Sequence, residues 1–328
     1  MLNNYEYIRL NETHLHDMSE LLYQRQREET QYFPSLKHKH LNKDHIHKTL
    51  SNMFHQQKMI GIGAFLKSNM VGYVLASIED TKSKELLAWV PYEGVAIQID
   101  QPQELIRLLY THVSEIWVKE ECFQHTIYVP LGNKRYLNSF LHLSFYIEHV
   151  HAILDVSTYH LFDQKNDIHV RRTEKKDRET LGQMSHIVTS YHNRSPVYLS
   201  FTEDIIEQRK HAFERLVDEN EVIVFIAEKE KQAIGYSIYE PIESNLMIPE
   251  NSIELSLSGV FPHVSGQGVG KALMNQGVST AKALGYNHIM TDWKITNLSS
   301  SIFWPKIGFI PIVYKMIRKI DKAYVKHQ

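Results

Sequence analysis

The sequence predicts an α+β protein made of two tandem copies of one three-layer unit, each with a mixed central sheet flanked by helices. Its 328 residues exceed the usual domain size of about 100–200 residues. Gly72-Tyr73 recurs as Gly235-Tyr236, and Ser144-Phe145 recurs as Gly308-Phe309, at offsets of 163 and 164 residues. A repeat whose offset holds at both ends indicates a duplication.

The sequences of both halves predict the same order of strands and helices. Each opens with a strand entering an acidic amphipathic helix, at residues 7–10 and 168–172. Each continues with two apolar strands joined by a short polar turn, which is typical of an antiparallel hairpin. These strand pairs are Met59–Phe65 with Val71–Leu75, and Val222–Ala227 with Ile234–Ile238. The link, roughly residues 157–167, contains the polar and aperiodic segment 163–167, so we place the two domains at residues 1–158 and 167–328.

Composition excludes several classes of protein. Hydrophobic residues make up 43% and charged residues 23%, as in ordinary folded proteins. The formal charge of −2 offers no basic excess for nucleic acid or anionic lipid. The one cysteine, Cys122, excludes intrachain disulfides and cysteine-based zinc sites, and we expect it to be structural. No signal-peptide pattern and no apolar run of spanning length is visible, so we expect a cytoplasmic protein.

A glycine-rich strand-to-helix turn is the sharpest feature of the sequence. Residues 253–257 alternate like a half-buried strand, and residues 269–284 place apolar side chains on one helix face. Between and at the edge of these elements lie Gly266, Gly268 and Gly270. Glycines permit positive φ, and a helix start presents unpaired N–H groups, so the turn suits a phosphate. The alternative is a tight turn without a ligand.

Two nucleotide-binding motifs do not fit this turn. A Walker loop requires Gly at position 265 and Ser or Thr at position 272, where Ser265 and Ala272 stand. The dinucleotide fingerprint requires Gly at position 271, which is Lys271. The spacing therefore excludes both.

The turn resembles the Arg/Gln-x-x-Gly-x-Gly/Ala loop of the GNAT acyltransferase superfamily, which holds the pyrophosphate of acetyl-coenzyme A. The matching residues are 265–270, preceded by Val260-Phe261-Pro262. Residues 297–309 are similar to the family's second signature of Asn, small residues, Phe-Tyr and Gly-Phe. Two motifs in order, about 30 residues apart, are more specific than either alone. The resemblance covers residues 168–321 and implies tandem GNAT-like acyl-CoA N-acyltransferase folds.

The resemblance implies that acetyl-coenzyme A is the cosubstrate. Its pantetheine arm would pair with a strand that a bulge splays open, where main-chain N–H groups polarise the thioester carbonyl. Such donors contribute about 2.7–4 kcal/mol in other acyl-transfer sites. For Gly259 the alternative is an ordinary strand irregularity. The implied cofactor-binding residues are Ser258, Gly259, Val260, Ser265, Gly266, Gln267, Gly268, Val269, Gly270, Lys271 and Asn297.

Glu254 is the candidate general base. It precedes Val260 by six residues, and strand alternation would place it on one face with Ser256 and Ser258. A base Glu stands at the corresponding place in the histone-acetylating branch of the superfamily. Partial burial would raise the pKa of Glu254 toward that of a base useful near neutral pH. A solvated strand carboxylate is the alternative.

Trp304 is where the sequence departs from its relatives, many of which have Tyr there to protonate the leaving thiolate. An indole N–H cannot act as that acid, although Trp304 can still cover the pantetheine sulfur and donate a hydrogen bond. A thiolate with a pKa near ~8.5 has little need of an acid. The alternative is a core role, which we also expect for Phe303. Asn297 can bind pantetheine, cap the following helix, or do both.

The first half lacks the phosphate-binding features. After Gly94 no glycine precedes the next helix, and Pro102 has no N–H. Asp100 and Glu104 would repel a pyrophosphate. We therefore expect a degenerate copy that supports the second half or lines the acceptor pocket.

Histidines and one polar segment complete the candidates. His38, His40, His45 and His47 lie close together without a recognised ligand spacing, so we expect no metal. Residues 191–198 lie where relatives place an acceptor-binding loop. Tyr191 and His192 are therefore the substrate-binding candidates, and a plain polar connector is the alternative.

The sequence thus predicts an N-acetyltransferase that moves an acetyl group from acetyl-coenzyme A directly to a primary amine. The acceptor would be a small molecule or a peptide, with no nucleic acid or membrane as partner, and a homo-oligomer is compatible with these features. The alternative is a coenzyme A-binding sensor or assembly module with weakened catalysis, which Ser265 and Trp304 favour.

Overall fold

The computed structural model describes residues 5–37, 42–80, 85–163 and 167–323. The chain divides into two compact units. Unit 1 comprises residues 1–150 and 312–328, and unit 2 comprises residues 151–311. Each has a mixed sheet flanked by helices, which confirms the predicted fold class.

The first half of the chain begins as predicted, with a strand, two helices and a hairpin. Its elements are β1 (Glu6–Arg9), α1 (Leu15–Tyr32), α2 (Lys43–Gln56), β2 (Met59–Leu66), β3 (Asn69–Asp80), β4 (Leu86–Val90), β5 (Val95–Ile97), α3 (Glu104–Lys119), β6 (Gln124–Pro130), α4 (Lys134–His142) and β7 (Tyr146–Asp155). Lys67 and Ser68 both have positive φ at the hairpin turn, as a two-residue turn of matching twist requires.

The second half repeats this order with three helices before its hairpin and with one strand, β11, in the place of β4 and β5. Its elements are β8 (His169–Arg172), α5 (Arg178–Met184), α6 (His186–His192), α7 (Glu203–Arg215), β9 (Ile223–Lys229), β10 (Gln232–Pro241), β11 (Ser252–Val260), α8 (Val269–Ala283), β12 (His288–Lys294), α9 (Leu298–Ile307) and β13 (Ile310–Lys319). Glu230 and Lys231 take the positive φ values at its hairpin. Both predicted hairpins are thereby confirmed.

The two units differ from the predicted domains, residues 1–158 and 167–328, in the placement of the last strand of each half. Unit 1 has the strand order β1-β2-β3-β4-β6-β13, with β5 on β3, so residues 313–319 of the chain's last strand pair with residues 124–130. Unit 2 has the order β7-β12-β11-β10-β9-β8, completed by residues 151–155 of β7. The halves therefore exchange their final strands, because each sheet takes its last strand from the other half of the sequence.

The two faces of the unit 2 sheet are covered differently. Tyr236 and Ile238 of β10 pack against α5 to α7 through residues such as Phe213. Tyr239 points to the other face, where its ring leaves no room for a side chain at Gly277 of α8.

Two buried groups outside the candidate site, His125 and Cys122, serve the fold. Burial lowers the pKa of His125 to about 4, and its ring nitrogens contact the Tyr110 hydroxyl and the Cys122 carbonyl. Burial also raises the pKa of Cys122 to about 11, which supports the structural role expected of this thiol. No helix in the described ranges is both long and apolar enough to cross a membrane.

Candidate functional site

The glycine turn lies between β11 and α8, as predicted. Gly266 and Gly268 have φ values of +78° and +98°. A Cβ at either position would meet no atom within 4 Å, so the space beside both residues is open. Glycine is favoured there because of the backbone conformation and not because of crowding. Gly270 differs, because a Cβ there would lie 2.9 Å from Cζ of Phe303. Phe303 thus packs on the first turn of α8.

The turn presents a group of unpaired main-chain donors, which we call the N–H cluster. Two of the predicted phosphate-binding residues have N–H groups that are already hydrogen-bonded within the loop. The N–H of Ser265 donates to the carbonyl of Pro262 and that of Gln267 to the carbonyl of Val264, both at 3.2 Å. The members of the N–H cluster, which have no acceptor within the described residues, are the N–H groups of Gly266, Gly268, Val269, Gly270 and Lys271. Such a cluster at a helix N-terminus fits a diphosphate.

Strand β11 is open along one edge beside this cluster. Its parallel pairing with β12 covers only residues 252–254 against 288–290, and the Thr291 hydroxyl then donates to the carbonyl of Leu255 at 2.9 Å. On its other edge β11 pairs with β10 as far as Val260. In the described part of unit 2, residues 256–260 therefore have one free strand edge, as the predicted splayed strand requires.

The hydrogen-bond alternation of β10 and β11 shows which groups face that free edge. The N–H of Phe261 donates to the carbonyl of Ile234 at 3.0 Å. Because every second residue of an antiparallel strand is hydrogen-bonded to its partner, the next residue of β11 that is bonded to β10 is Gly259. Ser258 and Val260 consequently direct their main-chain groups away from β10. These are the two residues at which an extended ligand can pair with the strand.

A bulge at Ser256 corrects the predicted faces of β11. The register shifts between Ile238 and Tyr239, so that Leu257 opposes Ile238 and Leu255 opposes Tyr239. The extra residue reverses the alternation. Glu254 therefore lies on one face with Leu257 and Gly259, toward α5 to α7, and Ser258 lies on the opposite face, although simple alternation predicts Glu254 and Ser258 on the same face.

Glu254 is half-buried on this face. Burial raises the pKa of its carboxyl, and the carboxylates of Asp292 and Glu240 raise that pKa further. Across the strands Glu254 opposes Glu240 of β10 and Met290 of β12. The direction of the shift is the one that a general base needs.

Helix α6 covers the end of β11. A Cβ at Gly259 would lie 2.9 Å from Ile187 of α6, so this glycine permits the close approach of the helix. The Tyr191 hydroxyl lies 3.4 Å from the carbonyl of Val260, and the ring of His192 stacks on Phe201 at 6.4 Å. The two substrate-binding candidates thus lie at the end of α6, and Tyr191 touches a cofactor-binding candidate.

Trp304 and Asn297 both serve the fold. Trp304 is 7% exposed, with its ring 4.9 Å from that of Phe303 and 5.4 Å from that of Phe309. Its counterpart in the first half, Phe140, is also buried, so an aromatic ring at this place is a packing requirement. The side chain of Asn297 accepts from the N–H of Ser300 and caps α9.

In unit 1 the corresponding strand edge is taken up by the protein itself. By register with β3, Val95 and Ile97 correspond to Ser258 and Val260. The guanidinium of Arg25, 1% exposed, donates to the carbonyl of Val95 at 2.5 Å, and the N–H of Ile97 donates to the hydroxyl of Tyr136 at 3.3 Å. An added strand would find these groups already paired.

The helix after β6 in unit 1 is likewise occupied. Asn133 caps α4 as Asn297 caps α9, 164 residues later. The buried carboxylate of Glu29 accepts from the N–H groups of Gly132 and Asn133 at 2.9 and 3.3 Å. Both segments that could hold pantetheine in unit 1 are therefore filled by side chains, those of Arg25 and Glu29 from α1 and that of Tyr136 from α4.

Sequence reasoning missed Glu240, Asp292 and Tyr236. Comparison of the two copies could have found Glu240 and Asp292, because both are charged where the first copy has a neutral residue. By strand register Glu240 matches Ser77, Glu254 matches Trp89, and Asp292 matches Tyr128. The described residues contain no group of three side chains suited to a metal. His38 and His40 lie outside those residues, and His45 and His47 lie on α2.

Comparisons with known proteins agree with this geometry. Residues 186–309 match the family model described as Acetyltransferase (GNAT) family. A GCN5-related N-acetyltransferase from Sphaerobacter thermophilus has a TM-score of 0.58 at 10% identity, covering 97% of this chain and 96% of that one. The glucosamine N-acetyltransferase region of a fungal multi-domain β-N-acetylglucosaminidase has a TM-score of 0.51 at 13% identity, covering 95% of this chain and 38% of that one.

A tandem GNAT protein from the clavulanic acid pathway is a weaker likeness, with a TM-score of 0.46 at 12% identity over 95% of this chain and 97% of that one. No curated protein sequence matches the chain. At these identities the solved structures establish the fold, and the family model covers the glycine turn, β11 and α9. The chain therefore has the fold of GCN5-related N-acetyltransferases, and its residues 186–309 match the family model of GNAT acetyltransferases.

Proposed function

We propose that unit 2 is an N-acetyltransferase that moves the acetyl group of acetyl-coenzyme A directly to a primary amine of a small molecule or peptide. The observation that carries this proposal is the N–H cluster beside the free edge of β11. A phosphate-binding turn alone would suit many ligands. A turn next to an open strand edge suits a ligand with both a diphosphate and an amide-containing arm.

Each part of unit 2 has a role in this proposal. The coenzyme supplies the acetyl group as a thioester. The N–H cluster binds its diphosphate, Ser258 and Val260 pair with its amide arm, and Asn297 lies at the start of α9 nearby. Glu254 accepts the proton lost by the attacking amine. The nitrogen–carbon bond forms as the carbon–sulfur bond breaks, and the thiolate leaves without an acid from Trp304.

Unit 1 does not bind coenzyme A in this proposal. The support is that Arg25, Tyr136 and Glu29 occupy its strand edge and the start of α4. Its role is that of a degenerate copy. Calorimetry should therefore give one binding site per chain.

Release of free thiol is the test of the proposed function. Acetyl-coenzyme A is mixed with the full chain and a panel of amines, amino acids, aminoglycosides and peptides. Thiol release that requires one class of amine supports the proposal. Binding of acetyl-coenzyme A without amine-dependent release would instead establish the sensor or assembly module.

Glu254→Gln should lower kcat by about 10²–10⁴-fold without changing affinity for acetyl-coenzyme A. The base must be ionised to act, and burial raises its pKa, so wild-type kcat/KM should fall with decreasing pH already above the usual range of a Glu carboxyl. The variant should lack this acidic limb. A pH–rate profile shared by both proteins would exclude Glu254 as the base.

A further inference from the structure

Three carboxylates lie together on the α5 to α7 face of the unit 2 sheet, and we call them the acidic face. Glu240 of β10 opposes Glu254 of β11 directly. Glu254 opposes Met290 of β12, and Asp292 lies two residues further along the same strand. Glu254 therefore lies on the strand between those of Glu240 and Asp292, on the same face as both.

This arrangement costs the protein stability. Like charges directly opposite one another on neighbouring strands repel, and Glu240 and Glu254 are both half-buried. Among the described residues neither of these two has a hydrogen-bond or ion-pair partner. Their charge is therefore uncompensated by the protein.

The fold itself does not require acidic residues at these positions. In unit 1 the corresponding residues are Ser77, Trp89 and Tyr128, which are uncharged, and the Trp89 and Tyr128 rings pack 4.9 Å apart. The same strands thus form equally well with neutral side chains. At these three matched positions acidic residues occur only in the copy that has the N–H cluster, although in unit 1 the carboxylate of Glu79 lies beside Ser77 and accepts from its hydroxyl.

A buried hydroxyl on the same face also lacks its partner. Tyr236 is 0% exposed, and its hydroxyl has no hydrogen bond within the described part of the chain. Its ring carbon Cζ lies 3.4 Å from where a Cβ on Gly259 would stand, so the hydroxyl is directed past Gly259. The matching Tyr73 of unit 1 donates to the carbonyl of Glu93 at 2.7 Å. The two copies therefore differ in whether this buried hydroxyl is hydrogen-bonded.

We propose that the acceptor of unit 2 carries a second positive charge besides the attacked amine, as a diamine or polyamine does. This inference rests on the proposed acetyl transfer. Glu254 faces the attacked amine, Glu240 and Asp292 bind the second ammonium group, and the Tyr236 hydroxyl hydrogen-bonds the acceptor beside Gly259. Cationic ligands relieve the repulsion that the acidic face creates.

Four acceptors of one chain length test the second charge: 1,5-diaminopentane, pentylamine, 5-aminopentan-1-ol and 5-aminopentanoate. We expect kcat/KM for the diamine to exceed that for the two neutral-ended amines by about tenfold or more, with the carboxylate lowest. Glu240→Gln should remove this preference. Glu243→Gln, the same change at an exposed residue outside β10, should retain it.

Stability measurements give a readout that does not depend on turnover. Glu240→Gln should raise Tm, because it removes the repulsion with Glu254, whereas Glu243→Gln should not. Tyr236→Phe should raise Tm and weaken acceptor binding, because it removes an unpaired buried hydroxyl. Tyr73→Phe is the matched control and should lower Tm, because it breaks the hydrogen bond to Glu93.

The outcomes separate this inference from the proposed function. Thiol release at equal kcat/KM with pentylamine and the diamine would overturn the inference and leave the acetyl transfer intact. A diamine preference that survives Glu240→Gln, or a lower Tm in that variant, would also overturn it. If no amine in the panel caused thiol release, the proposed function would be wrong, and the inference with it.

Discussion

A Gly268→Glu variant should lose binding of acetyl-coenzyme A by about 100-fold or more in Kd. Position 268 stands in the middle of the N–H cluster, in open space. A carboxylate there would take up the donors that the diphosphate needs and would repel its negative charge. Calorimetric titration of acetyl-coenzyme A into both proteins measures the loss.

Gly285→Glu is the matched control for this change. Gly285 follows α8 with a φ of +83°, and a Cβ there would also meet no atom within 4 Å. Both variants therefore pay a similar cost of about 1–2 kcal/mol for an L-residue at positive φ. Only Gly268→Glu should lose the ligand. Equal affinity in both variants and the wild type would show that the turn does not hold the diphosphate.

A Met316→Ala variant should destabilise unit 1, although Met316 belongs to the last strand of the chain. Met316 is 0% exposed and is part of the apolar core that contains Trp117 and Phe140. Removing a buried side chain of this size costs about 2–5 kcal/mol. Hydrogen exchange followed by mass spectrometry should show lost protection in β2, β3 and β6.

Ile289→Ala provides the reciprocal experiment. Ile289 is also 0% exposed, and it lies on β12 of unit 2 beside Ile253. Its loss should lower protection in β10 and β11 of unit 2. If Met316→Ala instead reduced protection in β10 and β11, the assignment of residues 312–328 to unit 1 would be wrong.

Local features of the fold were predictable because short sequence patterns determine them. The two hairpins follow from apolar strands on either side of polar turns, and positive φ at Lys67 and Glu230 fits those turns. The glycine turn was also located correctly, because Gly266 and Gly268 do adopt conformations that favour glycine. The cap of α9 by Asn297 follows the same local logic.

Features that depend on pairing between distant segments were not predictable in this way. Alternation placed Glu254 with Ser256 and Ser258, and one extra residue in β11 moved it to the face of Gly259. No local pattern marks a bulge that exists only relative to a partner strand. The occupied donors of Ser265 and Gln267 likewise became visible only when the loop geometry was known.

Short sequence patterns were sufficient to predict the duplication, the two hairpins, and the glycine turn between residues 265 and 271. These features depend on residue type and on neighbours a few positions away. Three other features follow from the three-dimensional fold: the halves exchange their last strands, Arg25 and Glu29 fill the strand edge and helix start of unit 1, and Glu240 opposes Glu254. Each of these depends on contacts between residues far apart in the chain, whose free energy is settled by packing and register rather than by local preference.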